Sequence, residues 1–235
     1  VYLCCILLMC VLSKPQLNVG RRIPFSPAVF PPLRHSSTCG PWSDMRMTRV
    51  FSAMPESTPD LLALAIEAHG GAERWATVAE LRFRLRVRGN ILAFRGRSPR
   101  WRTLDVTLDT TRVHARLAPF PRAGAVGILD GATARIEDET GNVLHERTEA
   151  ERQTGRGYLW DDLDELYFLA YAFWNYATTP FLLAWPGVEC HELAPVASSN
   201  GPLRRLHARF PPSIPTHCEE QIFTFGEDGR LCRLD

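Results

Sequence analysis

The stretch LRFRLRVRG, residues 81–89, alternates an apolar residue with an arginine four times and then ends at a glycine. Successive side chains of a β-strand point to opposite faces of the sheet, so one face of this segment is apolar and the other is cationic. The pattern predicts a half-buried strand of an antiparallel sheet. We interpret the arginines as a solvated face paired with acids on neighbouring strands, rather than as a patch for anionic headgroups or nucleic acid.

In the sequence, short predicted strands separated by turn residues lie before and after one long predicted helix. Gly89 and Asn90 predict a hairpin with a return strand over 91–95, and Asp130-Gly131, Gly141-Asn142 and Asp228-Gly229 predict further turns. Strands this close along the chain cannot be parallel, because a parallel connection needs a long crossover. The sequence therefore predicts an antiparallel meander. Its other strands are expected at 101–108, 112–117, 124–129, 133–138, 143–147, 181–185, 188–193, 203–210, 219–225 and 230–234.

Two helical regions are predicted. The first begins near residues 57–60, runs over 61–69, ends at Gly70-Gly71 and is followed by a short helical piece over 72–79. The second begins at the acids 161, 162, 164 and 165, which suit the first turn of a helix, and runs to about residue 176. From Leu166 to Trp174 it is apolar or aromatic on every side, so other elements must surround it. Polar residues and Pro180 interrupt the apolar run, and we therefore expect it to lie inside a curved sheet and not to span a membrane.

Residues 158–185 contain ten aromatic side chains, the strongest feature of the sequence that bears on function. A curved sheet closed over such a helix either packs solid or leaves an apolar cavity. Both outcomes stay open from the sequence. No phosphate-binding glycine loop and no nucleophile-elbow motif accompany the aromatic run.

Residues 1–53 differ from the rest of the chain. They hold six basic residues and one acid, whereas residues 54–235 hold 21 arginines and 25 acids, and four of the seven cysteines lie in the first part. We predict that 1–53 is a disordered extension, and two interpretations stay open: a truncated secretion signal with a linker, or sequence upstream of a start at Met54 that is not part of the native protein. The protein would be cytoplasmic if the chain starts at Met54, and periplasmic or exported if the apolar run over 1–12 is a truncated signal.

Two pairs of adjacent cysteine and histidine residues, Cys190-His191 and His217-Cys218, raise the question of a metal site or a nucleophile. Neighbouring side chains on a strand point to opposite faces, so both members of a pair seldom reach one metal ion. No activating motif accompanies either pair. We therefore predict no catalytic residue, no metal ligand and no cofactor.

The segments AHGGAERW (68–75) and LRFRLRVRG, followed by a meander, resemble the LolA/LolB-type lipoprotein carriers. The later segments, 160–189 and 204–235, are similar to a group of uncharacterised bacterial proteins of this half-barrel kind. The resemblance implies an α+β fold, a strongly curved antiparallel β-sheet (half-barrel) with helices packed on its concave face, formed as a single domain by residues 54–235. It also implies that the sheet is truncated at its C-terminus, before its final strands.

The resemblance further implies non-enzymatic binding or transport of a hydrophobic small molecule or lipid, with no cofactor and no nucleic-acid partner. Two alternatives stay open: an enzyme that uses the same pocket with His217 as general base, and a structural or protein-interaction domain that uses the arginine face. The ligand's identity and the oligomeric state also stay open. The residues expected to contact the ligand are Tyr167, Tyr171, Trp174, Phe181, Trp185, Phe210 and His217.

Overall fold

The computed structural model describes residues 60–148, 158–199 and 201–235, together with the backbone of one strand at 8–18. All of these residues belong to one compact unit. The fold is α+β, with two antiparallel sheets and a small number of helices among the described residues.

The first sheet has seven strands in chain order, so it is the predicted up-and-down meander. The strands predicted by alternation between residues 101 and 147 are confirmed to within two residues at each start. Strand β2 pairs with β3 so that Leu85 lies opposite Leu104 and Arg84 opposite Asp105. The strands are β1 Leu8–Asn18, β2 Glu80–Gly89, β3 Arg102–Asp109, β4 His114–Ala118, β5 Ala125–Asp130, β6 Thr133–Asp138 and β7 Val143–Arg147.

The second sheet has four strands in the order β11-β10-β9-β8. Its strands are β8 Glu189–Val196, β9 Leu203–Arg209, β10 Glu220–Phe225 and β11 Leu231–Leu234, all of which the sequence predicts. The sequence predicts one sheet, whereas the structure has two, because the helical residues between β7 and β8 interrupt the ladder. The meander therefore continues as a separate sheet.

Two short segments predicted as strands are helical. The predicted return strand over 91–95 is α3, Asn90–Phe94, in which Leu92 is buried. The predicted strand over 181–185 is a 3₁₀ helix, Phe181–Ala184, in which the adjacent side chains of Leu182 and Leu183 are both buried. A strand would direct two adjacent side chains to opposite faces, so this burial fits a helical turn.

The remaining helices agree with the sequence more closely. Helix α1 is Leu61–Ala68, and the Asp60 carboxylate caps it by accepting from the Leu62 and Ala63 amides. Helix α2 is Ala72–Trp75, and the long helix, α4, is Asp162–Thr178. The Asp161 side chain accepts from the Asp164 amide and the Asp164 side chain accepts from the Asp161 amide, which is a capping box. No helix in the described part of the chain is both long and apolar enough to cross a membrane.

The core lies between the apolar face of the first sheet and α4, which contacts β4, β5, β6 and β7. Leu104, Val106 and Leu108 of β3 are buried on this face, as their alternation predicts. Helix α4 buries 12 of its 17 residues, so nearly its whole circumference is covered. The expectation that an all-round apolar helix must be surrounded is therefore confirmed.

The predicted extension over 1–53 contains one described element. Strand β1 pairs antiparallel with β2, so residues 8–18 are part of the first sheet. This pairing differs from the expectation of disorder for that segment. The other residues of 1–53, and the expected hydroxyl cap at residues 57 and 58, lie outside the described residues.

Candidate functional site

His217 lies in the proline-rich loop between β9 and β10, and two tyrosines of α4 hold its ring. The Tyr171 hydroxyl lies 2.8 Å from His217 Nδ1, and the Tyr176 hydroxyl lies 3.0 Å from His217 Nε2. A neutral imidazole has one N–H donor and one acceptor nitrogen. One tyrosine hydroxyl therefore donates to the ring while the other accepts from it.

The surroundings of His217 favour its neutral form. Burial lowers the pKa of His217 from 6.5 to about 4, because a charged ring would lose hydration there. The Phe168 ring adds an apolar contact, with its centroid 4.9 Å from that of the histidine. A general base that works near neutral pH needs a pKa near that pH. With a pKa of about 4, His217 is too weak a base for this role, and its contacts with two tyrosine hydroxyls suit a hydrogen-bonding role.

A further polar contact joins the same loop to α4. Asn175 Nδ2 donates to the Pro215 carbonyl at 2.9 Å. Asn175 Oδ1 is buried and has no hydrogen-bond partner among the described residues. Polar side chains of α4 therefore fasten the loop at both Pro215 and His217. We call residues 211–219 the cover loop.

An indole pair lies beside this contact. The Trp174 and Trp185 rings meet edge to face with centroids 5.0 Å apart, and Trp174 is fully buried. Trp174 Nε1 donates to the Asp109 carbonyl at 2.9 Å, which ties α4 to the end of β3. The Tyr167 ring packs edge to face on Tyr171 at 5.0 Å. These four aromatic residues and His217 are the predicted ligand-contacting residues that lie along α4 and the cover loop.

The other two predicted ligand contacts have different partners. Phe181 stacks on the Trp75 ring of α2, with centroids 4.1 Å apart and planes nearly parallel. Phe210 packs against Phe223 of the second sheet at 6.4 Å. The recorded ring contacts of Phe181 and Phe210 thus do not join them to the Tyr171–His217 cluster.

The acids at the start of α4 meet arginines. Glu165 is only 1% exposed and accepts from Arg97 and from Arg102. Arg97 also pairs with Asp162, and Arg147 pairs with Asp161 and Asp164. The predicted role of the acids in the first helical turn is confirmed, and the arginines neutralise them there as well.

The cysteine and histidine pairs form no common site. Burial raises the pKa of Cys190 to about 11, so its thiol stays protonated and unreactive at neutral pH. His191 lies on β8 and packs on His207 of β9, with ring centroids 4.5 Å apart. Across the described residues, no group of three or more histidine, cysteine or acidic side chains is arranged to hold a metal ion.

A surface pocket of about 560 Å³ lies on the solvent side of β3–β6. Asp105, Arg116 and Glu137 are among its charged lining residues, and none of the seven predicted ligand contacts lines it. Asp105 pairs with Arg84 and Glu137 pairs with Arg135. The pocket is therefore a charged depression distinct from the aromatic cluster.

Sequence reasoning missed four features of the site. Tyr176, Phe168 and Asn175 belong to α4, and helical spacing from Tyr171 was a usable signal for Phe168, three residues before it, and Asn175, four residues after it. The arginine partners of Glu165 lie more than 60 residues away along the chain, so no local pattern indicates them. The acid cluster at the start of α4 was the available signal, because carboxylates that become buried need cationic partners elsewhere in the fold.

Comparison of the chain with protein-family models, curated proteins and solved structures finds no match.

Proposed function

We propose that this protein binds a hydrophobic ligand, a lipid or an acyl chain, between the first sheet and α4. The observation that carries the proposal is the surface of α4, which is apolar or aromatic on every side from Leu166 to Trp174 and meets a loop fastened through polar contacts. A carrier of hydrophobic molecules needs an apolar surface, together with a loop that can open to admit the ligand.

The proposal includes the curvature implied by the resemblance to half-barrel lipoprotein carriers. In this account the first sheet bends around α4, which lies on its concave face. The contacts of α4 with four successive strands support this. So does Gly127 of β5, where an added Cβ would collide with Leu166 of α4 and lie 2.9 Å from Phe120. Because helix and sheet approach closely at this glycine, the ligand would lie away from it, nearer the cover loop.

The polar end of the ligand would meet Tyr171, Tyr176 and His217. Two hydroxyls and a neutral imidazole offer donors and acceptors without a net charge, which suits a carboxyl, ester or hydroxyl headgroup. The tail would then lie along Phe168, Trp174 and Trp185, whose rings supply apolar contact area.

The test is a titration of delipidated protein with stearic acid that carries an anthroyloxy fluorophore, followed by displacement with unlabelled stearate. Replacing both tyrosines (Tyr171→Phe with Tyr176→Phe) removes two hydroxyls and keeps the rings. We expect the affinity for stearate to fall about 30-fold, since each of the two lost hydrogen bonds contributes about 1 kcal/mol.

Tyr158→Phe is the matched control, because it removes a tyrosine hydroxyl from a half-exposed ring outside the cluster. It should bind stearate as the parent protein does. The proposal would be wrong if the parent protein showed no saturable binding of stearate and solvent extracts of the purified protein contained no lipid.

A further inference from the structure

Three large apolar side chains are exposed together beside the connection between β2 and β3. Phe94 is 63% exposed, Tyr158 is 51% exposed and Leu159 is 69% exposed. The Phe94 and Tyr158 rings meet edge to face at 4.8 Å, and the Leu159 side chain lies against Gly96. Exposed apolar side chains that touch one another in this way mark an interaction surface more often than scattered ones do.

The structure holds this apolar cluster in place. The Trp160 amide donates to the Arg95 carbonyl at 2.9 Å, and Arg95 Nη1 donates to the Tyr158 carbonyl at 3.3 Å. The Arg95 guanidinium also lies over the Tyr158 and Trp160 rings. The segment that carries Tyr158 and Leu159 is thus fastened to the end of α3, and its exposed side chains are presented from a fixed backbone.

Cations accompany the apolar cluster. Arg86 and Arg88 immediately precede α3, are exposed, and both lie over the Trp101 ring at 5.2 Å. Neither they nor Arg95 has a carboxylate partner among the described residues. Arg82 and Arg84, on the same face of β2, are instead paired with Glu80 and Asp105. The uncompensated positive charge of β2 is therefore concentrated at the end next to α3.

We propose that these residues form a docking surface for an anionic lipid membrane, with the apolar side chains inserted among the acyl chains and the arginines against the phosphates. We call it the docking surface, and it comprises Phe94, Tyr158, Leu159, Arg86, Arg88 and Arg95. Aromatic and aliphatic side chains beside arginines suit the boundary between headgroups and hydrocarbon. Guanidinium groups bind phosphate oxygens through paired hydrogen bonds.

Two other occupants fit less well. A second copy of this chain on the same surface would bring the arginines of both copies together, because a two-fold interface repeats each contact. A nucleic acid strand gains its affinity from base stacking and phosphate contacts. The Trp101 ring already carries two guanidinium groups, and a polyanion would leave Leu159 unburied.

The experiment is flotation of the full chain with vesicles of phosphatidylcholine alone and with vesicles that also contain phosphatidylglycerol, at low and at high salt. We expect binding to the anionic vesicles, weakened by salt because screening reduces the attraction of arginine for phosphate. Phe94→Ser combined with Leu159→Ser, and Arg86→Gln combined with Arg88→Gln, should each weaken vesicle binding about tenfold or more.

Each double variant has a matched control on this chain. Val143→Ser with Leu144→Ser removes two exposed apolar side chains from β7, and Arg82→Gln with Arg84→Gln removes the two paired arginines of β2. Both controls should bind anionic vesicles like the parent protein. The stearate affinity of all four variants should stay unchanged, so a failure of the docking surface is distinguishable from a failure of the proposed ligand site.

Several results would overturn the docking surface. One is equal loss of vesicle binding in the control variants. A second is equal binding to both kinds of vesicle at either salt concentration. A third is binding to a single-stranded oligonucleotide with none to vesicles, and a fourth is a dimer in light scattering that Phe94→Ser with Leu159→Ser abolishes.

Discussion

Glu165 is the residue on which the start of α4 depends most. Its carboxylate is 1% exposed and is held by Arg97 and Arg102, whose side chains are about one fifth exposed. A buried charge is tolerated only when its partners are present, because removing one leaves the others desolvated and unpaired. Without the Glu165 charge, Arg102 would lose its carboxylate partner and Arg97 would keep only Asp162.

Glu165→Gln should therefore destabilise the protein by about 3 kcal/mol in urea unfolding at neutral pH, because it keeps the shape and removes the charge. Asp105→Asn makes the same kind of change at the exposed pair with Arg84, where solvent screens the attraction. That variant should unfold at nearly the same urea concentration as the parent protein. Equal effects of the two substitutions would contradict the buried role assigned to Glu165.

His217 gives the stability a defined pH dependence. Its pKa is about 4 in the folded protein and 6.5 as its ordinary value, so the unfolded chain takes up the proton first as the pH falls. The contribution of neutral His217 to the free energy of unfolding is fully present above pH 6.5. It is lost as the pH falls from 6.5 to about 4, and the free energy changes no further on this account below pH 4. Partial exposure limits its size to roughly 2 kcal/mol.

Carboxylates also titrate in this range, so the informative quantity is a difference between two proteins. The free energy of unfolding of the parent minus that of His217→Gln should shrink as the pH falls from 6.5 to 4. His191→Gln, at an exposed histidine of β8, is the control for the loss of a histidine side chain. A constant difference for His217→Gln would show that burial does not keep this ring neutral.

At the scale of elements, the close approach of α4 to β5 is the most specific packing feature. Gly127 lies opposite Leu166, and a methyl group there would also meet Phe120. Gly127→Ala should cost about 1–3 kcal/mol in urea unfolding, because both neighbours are fully buried and have little room to move. Gly226→Ala, whose methyl group would meet the Asp228 carboxylate at a turn, should cost less.

The combination of Gly127→Ala with Leu166→Val tests the mechanism of that loss. Shortening Leu166 makes space for the added methyl group, so the double variant should be less destabilised than the sum of the two single variants. Additive effects would mean that Leu166 is not the side chain that Gly127 accommodates.

The elements differ in how well the sequence predicted them. Strands such as β2 and β3 alternate apolar and polar residues over their whole length, and this period identifies them. The segments at 91–95 and 181–185 are short apolar runs, for which alternation does not separate a strand from a helical turn. Both proved helical, and in the second segment the adjacent side chains of Leu182 and Leu183 are both buried, which a strand would not allow.

The site was predictable in its residue types but not in its contacts. The aromatic content of α4 was evident from the sequence, whereas the argument from strand geometry does not apply to His217 and Cys218, because both lie in the cover loop and not on a strand. The hydroxyl partners of His217 are 46 and 41 residues away, so only the folded chain reveals them. Long-range contacts of this kind carry no local sequence signal.

At the scale of the whole molecule, the two faces of the first sheet have different tasks in this account. The face against α4 is apolar and would hold the ligand, whereas the opposite face of β2 carries the arginines that lead to the docking surface. The Tyr171–His217–Tyr176 cluster links α4 to the cover loop between two strands of the second sheet. Ligand entry would accordingly loosen the cover loop while both sheets stay intact.

The most direct measurement is photo-crosslinking of delipidated protein with a stearic acid that carries a diazirine near the end of its chain, followed by peptide mass spectrometry. The account predicts crosslinks in α4, in the segment that carries Trp185 and in the cover loop, all suppressed by excess unlabelled stearate. Crosslinks confined to the solvent face of β2, or crosslinks that excess stearate does not suppress, would contradict a ligand site between the first sheet and α4.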